Sequence, residues 1–272
     1  MKKSISIFDR GFLYGDGVFE SLRTYQQKPF LLDEHLKRLL KNARFIQIKG
    51  LPSFAKLKSA VYKALAAHNF KESYLKIIIT RGEAKEHGLD MKNATGHPNI
   101  IIIVEEQKPL PQTLFTTGWS AVISSITKAN TPSARIKSLC YLDNLLAKAE
   151  AQKAGANEAF LLDCKGKVVE GTISNIFIVK HGQLYTPPEE APILCGLTRN
   201  LVLKLAKQSA IKAVEKVLTP KEIYTADECF VTFSGAGVVP ITRIWKKKIA
   251  NGKAGYLTSA LIRLYDVETK KL

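Results

Sequence analysis

The segment ARIKSLCYLDNLLAKAEA (residues 134–151) places a lysine, Lys137, just ahead of an apolar periodic stretch. From Leu139 onward, apolar residues recur at helical spacing and predict an amphipathic helix with a buried stripe. These positions are Leu142, Leu145, Leu146 and Ala149. Burial lowers the pKa of a lysine because it disfavours the charged form, and the neutral amine is a nucleophile that can form a Schiff base. The alternative is a lysine that keeps its head in water at a helix start.

Glu170 lies in KVVEGTISNIFIV (residues 167–179), between two apolar runs that predict strands. A carboxylate buried there needs a cationic partner, because an unpaired buried charge is costly. A protonated pyridine nitrogen is one such partner, and an acid at that nitrogen keeps the ring of pyridoxal phosphate an electron sink. A turn glutamate that faces water is the alternative.

Two segments have the chemistry of a phosphate site. In CGLTRNLVL (residues 195–203), Gly196 precedes a predicted helix whose first amides, at Leu197 and Thr198, have no partner within the helix and favour an anion. In DEHLKRLLKNARF (residues 33–45), Arg38 stands on a predicted helix, and its planar fork can bind two phosphate oxygens. Ordinary capping by Thr198 and a solvated Arg38 are the alternatives.

The segment DRGFLYGDGVFESL (residues 9–22) has two glycines around Asp16. It lacks the G-x-G-x-x-G order after a strand, so it does not predict a dinucleotide site. We expect a tight turn that leads into a short strand. Tyr14 and Phe19 then either line a cavity or fill a core.

The elements that must position these residues follow from the apolar pattern. Helices are predicted over residues 33–46 and 53–68, after Gly196 and from about Tyr256. Strands are predicted at YLKIIITRG, NIIIIVEE, residues 119–126, EAFLLD, SNIFIV, QLYTP and CFVTF. Because strands come in runs rather than alternating with helices, the pattern predicts an α+β fold with mixed or antiparallel sheets. The polar QKPLPQ stretch predicts a linker over residues 107–113, between a small N-terminal α/β domain (1–106) and a larger C-terminal domain (114–272) that binds the cofactor.

Composition argues against several classes of protein. The net charge of +17 suits anionic small molecules, but the lysines are scattered along helix faces rather than interleaved with aromatics, which argues against nucleic-acid binding. No apolar run reaches the roughly 18 residues of a membrane span, and the N-terminus lacks a secretory pattern, so we expect a cytoplasmic protein. The cysteines have no C-x-x-C spacing, which predicts buried free thiols and no metal site. They are Cys140, Cys164, Cys195 and Cys229.

These motifs, in this order, resemble the pyridoxal-phosphate enzymes of fold type IV. The likeness rests on DRGFLYGDGVFESLR, DEHLKRL, IKSLCYLDNLLAKAEA, VVEGTISNIF, GLTR and FVTFSGAGVVPI, and it spans nearly the whole chain. The family contains branched-chain aminotransferases, D-amino acid aminotransferases and 4-amino-4-deoxychorismate lyases. It implies a two-domain, D-amino acid aminotransferase-like fold with pyridoxal 5′-phosphate between the domains, and a homodimer.

The resemblance also implies roles for single residues. Lys137 would be the Schiff-base lysine and would move the proton at the substrate's α-carbon, while Glu170 would face the pyridine nitrogen. Tyr141 would approach the ring hydroxyl. The phosphate would be held by Arg38, by the backbone at Leu197 and Thr198, and by the Ser234 hydroxyl.

The motifs that divide the family depart here from the aminotransferase patterns. SGAGVVPI lacks the Thr-Ala-Ala-Glu of branched-chain enzymes, and Cys140 stands where asparagine is usual. TRGEAKEHG offers Lys85 and His87 as substrate-binding residues, offset by one position from the Arg-x-His pair of D-amino acid enzymes.

These departures favour 4-amino-4-deoxychorismate lyase, which releases pyruvate and forms 4-aminobenzoate for folate biosynthesis. An aminotransferase for branched-chain or D-amino acids is the alternative. A non-catalytic binding protein is a third possibility, opposed by the presence of both Lys137 and Glu170.

Overall fold

The computed structural model describes residues 4–271, and its backbone contacts divide the chain into two compact units. The first unit runs through Lys108 and also includes the separate segment Ile136–Tyr141. The second unit comprises Pro109–Arg135 and the chain from Leu142 onward. The domain boundaries predicted from the sequence stay a prediction, and their first three residues lie outside the described range.

The first unit contains three helices and a four-stranded sheet among its described residues. The helices are α1 (Arg10–Tyr14), α2 (Leu32–Phe45) and α3 (Phe54–Ala66), with a 3₁₀ turn at Met91–Asn93. The strands are β1 (Gly17–Tyr25), β2 (Lys28–Pro29), β3 (Ser73–Thr80) and β4 (Asn99–Glu106). They pair antiparallel in the order β2-β1-β3-β4. The helices predicted over 33–46 and 53–68 are confirmed to within two residues at each end.

The core of the first unit lies where α2 and α3 pack against one face of this sheet. On β3, alternate residues point to the same face, and Leu75, Ile77 and Ile79 are fully buried there. The apolar stripe of α2 meets that core with Leu36, Leu39, Leu40 and Ala43, all buried. Arg38 stands on the same helix and is thereby held at a fixed place above β1.

The second unit contains the remaining elements of the described chain. Its helices are α4 (Thr113–Thr116), α5 (Leu142–Lys153), α6 (Leu197–Gln208), α7 (Pro220–Tyr224) and α8 (Tyr256–Thr269), with a 3₁₀ turn at Pro132–Arg135. Its first strands are β5 (Trp119–Lys128), β6 (Glu158–Asp163), β7 (Val168–Gly171), β8 (Asn175–Lys180) and β9 (Gln183–Thr186). The later strands are β10 (Ala213–Glu215), β11 (Glu228–Phe233), β12 (Gly237–Ile244) and β13 (Lys247–Lys248).

The sheet of the second unit is mixed, as the sequence predicts. Within the described chain it has nine strands in the order β10-β9-β8-β11-β12-β5-β6-β7, with β13 attached to β12. The pairs β10–β9, β12–β5 and β5–β6 are parallel and the others antiparallel. Phe177 and Phe230 stack at its centre with ring centroids 4.9 Å apart. The α+β fold with mixed and antiparallel sheets is therefore confirmed.

The predicted helix after Lys137 differs from the observed one in two respects. It begins at Leu142 rather than Leu139, and its predicted buried stripe is exposed, with Leu142 at 67% and Leu145 at 63% exposure. The small residues Ala147 and Ala151 face the core instead. Helical spacing reports that apolar residues share a face, but it does not say which neighbour covers that face.

Two other expectations concern thiols and membranes. The four cysteines are free, as predicted, but only Cys229 is fully buried, and burial raises its pKa; Cys140 and Cys164 are exposed. Within the described residues, the helices are too short or too polar to cross a bilayer.

The start of α8 is capped by a side chain from the neighbouring sheet. Glu228 on β11 accepts hydrogen bonds from the amides of Leu257 (3.0 Å) and Thr258 (2.7 Å) and from the Thr258 hydroxyl (2.6 Å). The first amides of a helix lack partners within it, and a carboxylate there also meets the positive end of the helix dipole. Glu228 therefore fixes α8 to the central sheet.

Glu228→Ala should lower the free energy of unfolding by about 1–3 kcal/mol, because it leaves donors at a buried helix start unpaired. Guanidinium denaturation followed by circular dichroism measures this change. Glu268→Ala is the control: Glu268 pairs with Lys271 at the exposed end of the same helix, and its loss should cost about 0.5 kcal/mol or less. Equal losses in both variants would contradict the capping role.

Candidate active site

Lys137 lies on an extended segment that pairs with β1, not at the mouth of a helix. The amide of Phe19 donates to the carbonyl of Lys137 at 2.9 Å, and the amide of Leu139 donates to the carbonyl of Gly17 at 3.0 Å. A side chain at position 17 would collide with Leu139, since an added Cβ would lie 2.7 Å from it. Gly17 therefore permits the close pairing that fixes the backbone of Lys137.

Two aromatic rings hold the Lys137 amine. Its Nζ lies 4.5 Å from the centroid of the Phe19 ring and donates to the Tyr141 hydroxyl at 3.2 Å. The two rings meet edge to face at 5.2 Å. Lys137 is half-buried, which partly agrees with the desolvated lysine expected from the sequence. Its amine is thus oriented by one hydrogen bond and confined by an apolar surface.

Glu170 is a buried strand residue rather than a turn glutamate facing water. It lies on β7 with 5% exposure, and its Oε1 is paired with the Lys128 ammonium. Its Oε2 accepts hydrogen bonds from the Leu194 amide (2.9 Å) and the Asn175 side-chain amide (3.3 Å). These donors favour the ionised carboxylate. No pattern in the sequence singled out Lys128, because its pairing with Glu170 joins residues 42 positions apart.

A second buried carboxylate shapes the turn after Glu170. Glu158 accepts hydrogen bonds from the Thr172 amide (3.0 Å), the Thr172 hydroxyl (2.5 Å) and the Ser174 hydroxyl (2.8 Å). A Cβ at Gly171 would lie 2.8 Å from the Glu158 carboxylate, so the turn requires glycine. The position of Glu170 therefore depends on its neighbours on both sides.

The predicted anion site at the start of α6 has the expected local form. Gly196 precedes the helix without a side-chain cap, and a Cβ there would collide with the Asn175 side-chain oxygen. Thr198 is 3% exposed, and Ser234 lies in the turn between β11 and β12. The hydroxyl of Thr232, two residues before Ser234, is buried with no hydrogen-bond partner among the described residues.

Arg38 is paired with a buried acid that the sequence reasoning missed. Its Nε and Nη2 donate to the two carboxylate oxygens of Glu20, at 2.6 and 2.7 Å. His35 contacts the same carboxylate through Nδ1 at 2.7 Å. Burial alone would raise the pKa of Glu20, but the charges and hydrogen bonds of Arg38 and His35 outweigh it and lower the pKa to about 2. An acid within the apolar run GVFESL was the signal in the sequence.

Three of the four predicted substrate-binding residues line one cavity in the first unit. Tyr14, Lys85 and His87 surround a space of about 210 Å³ together with Arg10, Phe8 and Leu13. Phe19 lies instead at Lys137. The Tyr14 hydroxyl accepts a hydrogen bond from the Gly88 amide at 3.2 Å.

Arg10 was not predicted, although it opens the quoted glycine-rich segment. It donates to Asp16 at 2.9 Å, and Arg81 donates to the same oxygen at 2.7 Å. Burial raises the pKa of Asp16, but these arginines outweigh it and lower that pKa. In the described residues, no group of three acidic, histidine or cysteine side chains is placed to bind a metal.

Comparison with known proteins gives a consistent result. Three curated relatives align with almost the whole chain: a putative branched-chain-amino-acid aminotransferase of Methanocaldococcus jannaschii is 41% identical over 98% of this chain and 92% of its own length. A D-alanine aminotransferase of Bacillus licheniformis is 36% identical (94% and 88%), and an aminodeoxychorismate lyase of Bacillus subtilis is 33% identical (98% and 90%).

Solved structures extend the likeness to the fold. The branched-chain aminotransferase of the archaeon Thermoproteus uzoniensis, solved with norvaline, superposes with a TM-score of 0.89 at 29% identity, covering 98% of this chain and 90% of that one. A branched-chain amino acid aminotransferase solved with pyridoxamine 5′-phosphate, from the organism abbreviated T.th., gives a TM-score of 0.92 at 28% identity (99% and 90%). The fold type IV architecture expected from the motifs is therefore confirmed. The model of the amino-transferase class IV family matches residues 17–244, and the chain belongs to that family.

Proposed function

We propose that this protein is an aminotransferase that uses pyridoxal 5′-phosphate to move an amino group from an amino acid to a keto acid. The cofactor is that of the family. The observation that carries the proposal is the Lys137 amine, fixed by backbone pairing with β1 and confined by Phe19 and Tyr141. Amino transfer, rather than another reaction of the family, is supported by the 41% identity to a putative branched-chain enzyme along nearly the whole chain.

The residues of the second unit fit the cofactor chemically. The uncapped start of α6, at Leu197 and Thr198, offers backbone donors and a positive dipole end to a phosphate. Ser234 and the unpartnered Thr232 hydroxyl add polar groups nearby in the chain. Glu170, held as a carboxylate by Lys128, suits a protonated pyridine nitrogen.

The residues of the first unit supply the phosphate-binding arginine and the acid–base group. We assign Arg38 to the phosphate and Tyr141 to the ring hydroxyl. When bound, pyridoxal phosphate supplies an electron sink that makes the substrate's α-proton removable. The Lys137 amine takes that proton and returns it at the next carbon, with Tyr141 orienting the amine.

The cavity around Tyr14 is the proposed site of substrate recognition. Arg10, Lys85 and His87 supply cationic or hydrogen-bonding groups to a carboxylate, and Phe8 and Leu13 supply an apolar wall. This combination suits an amino acid with an apolar side chain. Phe19 is proposed to contact the substrate beside Lys137.

A homodimer is the proposed assembly. The exposed leucines Leu142, Leu145 and Leu146 of α5 form an apolar face, which a second copy of the chain would cover.

Aminodeoxychorismate lyase is the second candidate. The turn that holds Ser234 reads SGAGVVPI and lacks the Thr-Ala-Ala-Glu expected of branched-chain enzymes. The 33% identical relative from Bacillus subtilis carries that activity in its name. Lys137 would perform the same proton transfer on 4-amino-4-deoxychorismate, with loss of pyruvate.

Lys137→Ala should slow exchange of an amino acid's α-proton with D₂O by about 10³-fold, the usual contribution of a positioned general base. Exchange is followed by proton NMR with the cofactor at saturation. Lys76→Ala is a matched control, because Lys76 also lies over the Phe19 ring, at 4.9 Å. Exchange that survives in Lys137→Ala but not in Lys76→Ala would reverse the assignment.

Glu170→Gln should reduce turnover by about 10²-fold, because an amide cannot match a carboxylate in stabilising positive charge at the pyridine nitrogen. Cofactor should remain bound, since the phosphate contacts are unchanged. The control is Glu150→Gln, which alters an acid that bonds Ser124 and Ser125 in the same unit. Turnover is measured by keto-acid formation, and near-normal turnover in Glu170→Gln would rule out the pairing.

Product analysis separates the two candidate reactions. The proposed function predicts that branched-chain or D-amino acids convert the bound cofactor to pyridoxamine phosphate and yield the matching keto acid. The lyase predicts pyruvate and 4-aminobenzoate from 4-amino-4-deoxychorismate, without net conversion of the cofactor. Pyruvate release from that substrate, with no response to any amino acid, would replace the aminotransferase assignment by the lyase.

A further inference from the structure

Glu20 is the least accessible acid in the vicinity of Arg38. It lies on β1 with 0% exposure, and both of its carboxylate oxygens are engaged by α2. His35 and Arg38 are three residues apart, so they project from the same face of that helix. The carboxylate is thus held from one side by Nδ1 of His35 and from the other by the guanidinium of Arg38.

Packing does not explain why a charged pair is placed here. Leu36, Leu39 and Leu40 of α2 already pack in the core over this sheet. A buried ion pair often stabilises a fold no better than apolar residues of similar size would. The arrangement therefore points to a purpose for Arg38 itself.

The geometry of the pair restricts the guanidinium. Glu20 takes Nε and Nη2, one edge of the fork, which sets both the plane and the rotation of the group. A guanidinium has five N–H donors in fixed directions, so an edge held by Glu20 determines where the remaining donors point. Because the pKa of Glu20 is about 2, its carboxylate stays ionised at any working pH.

We propose that Glu20 is a positioning residue that fixes the orientation of Arg38 for the phosphate group of the cofactor. This inference rests on the phosphate role of Arg38 in the proposed function. It also has a distinctive sign. A negative charge beside Arg38 weakens its attraction for an anion, so a purely electrostatic view predicts tighter phosphate binding when that charge is removed. A positioning role predicts weaker binding.

The experiment compares the affinity of the apo-protein for pyridoxal 5′-phosphate and for pyridoxal, which lacks the phosphate. Glu20→Gln removes the charge at nearly constant shape. Its affinity for pyridoxal phosphate should fall about tenfold, as for the loss of one charge-assisted hydrogen bond, while its affinity for pyridoxal stays within about twofold. Asp33→Asn is the control, since Asp33 is on α2 but pairs with Lys58 at the surface. It should leave both affinities unchanged.

Two further variants keep the result decisive if Glu20→Gln folds poorly. Glu20→Asp retains the charge but shortens the reach to Arg38, and should show a smaller loss specific to the phosphate. In a double-mutant cycle with Arg38→Lys, the loss from Glu20→Gln should largely disappear, because it acts through Arg38.

Each other outcome overturns the proposal in an identifiable way. Tighter binding of pyridoxal phosphate by Glu20→Gln would show that Glu20 only opposes the phosphate, and equal losses for both ligands would show a merely structural role. A wild-type chain that binds pyridoxal as tightly as pyridoxal phosphate would remove the phosphate role of Arg38. A wild-type chain that binds neither would refute the proposed function itself.

Discussion

The backbone pairing between β1 and the segment around Lys137 is the constraint on which the proposed chemistry depends. Two hydrogen bonds, from Phe19 to Lys137 and from Leu139 to Gly17, make a catalytic lysine part of the edge of a sheet. An amine on a free loop would spend most of its time away from its target. Here the same strand that anchors the backbone also supplies the Phe19 ring beside the amine. Orientation is thus present before any ligand binds.

Buried carboxylates repeat this principle elsewhere. Glu20 orients an arginine, Glu158 shapes the turn after β7, and Glu170 is held ionised by Lys128 and backbone or amide donors. Each is costly to bury alone and is tolerated because its oxygens are paired. The two units therefore use the same device: a fixed acid sets the position or the charge of a neighbouring group. The sign of the Glu20 effect follows from its lowered pKa: the stability it contributes is present above its ordinary pKa near 4.5 and is lost as the pH falls through about 2.

Local patterns predicted what is local. The helix that carries Arg38 and the start of α6 after Gly196 follow from spacing and composition, and the fold followed from the order of the motifs. The exposed stripe of α5 did not, because periodicity cannot tell a core from a surface covered by another partner. The pairing of Glu20 with Arg38 and of Lys128 with Glu170 arises only when distant segments meet. The late start of α5 had the same origin, since residues 136–141 pair with β1 instead of coiling.

The most direct test of the account is to reduce the cofactor-loaded protein with borohydride and locate the modified residue by peptide mass spectrometry. The account predicts that the pyridoxyl group is attached to Lys137, with Lys76 unmodified although it contacts the same aromatic ring. Attachment to Lys76 or to any other lysine would contradict the central claim that backbone pairing with β1 prepares Lys137 for this chemistry.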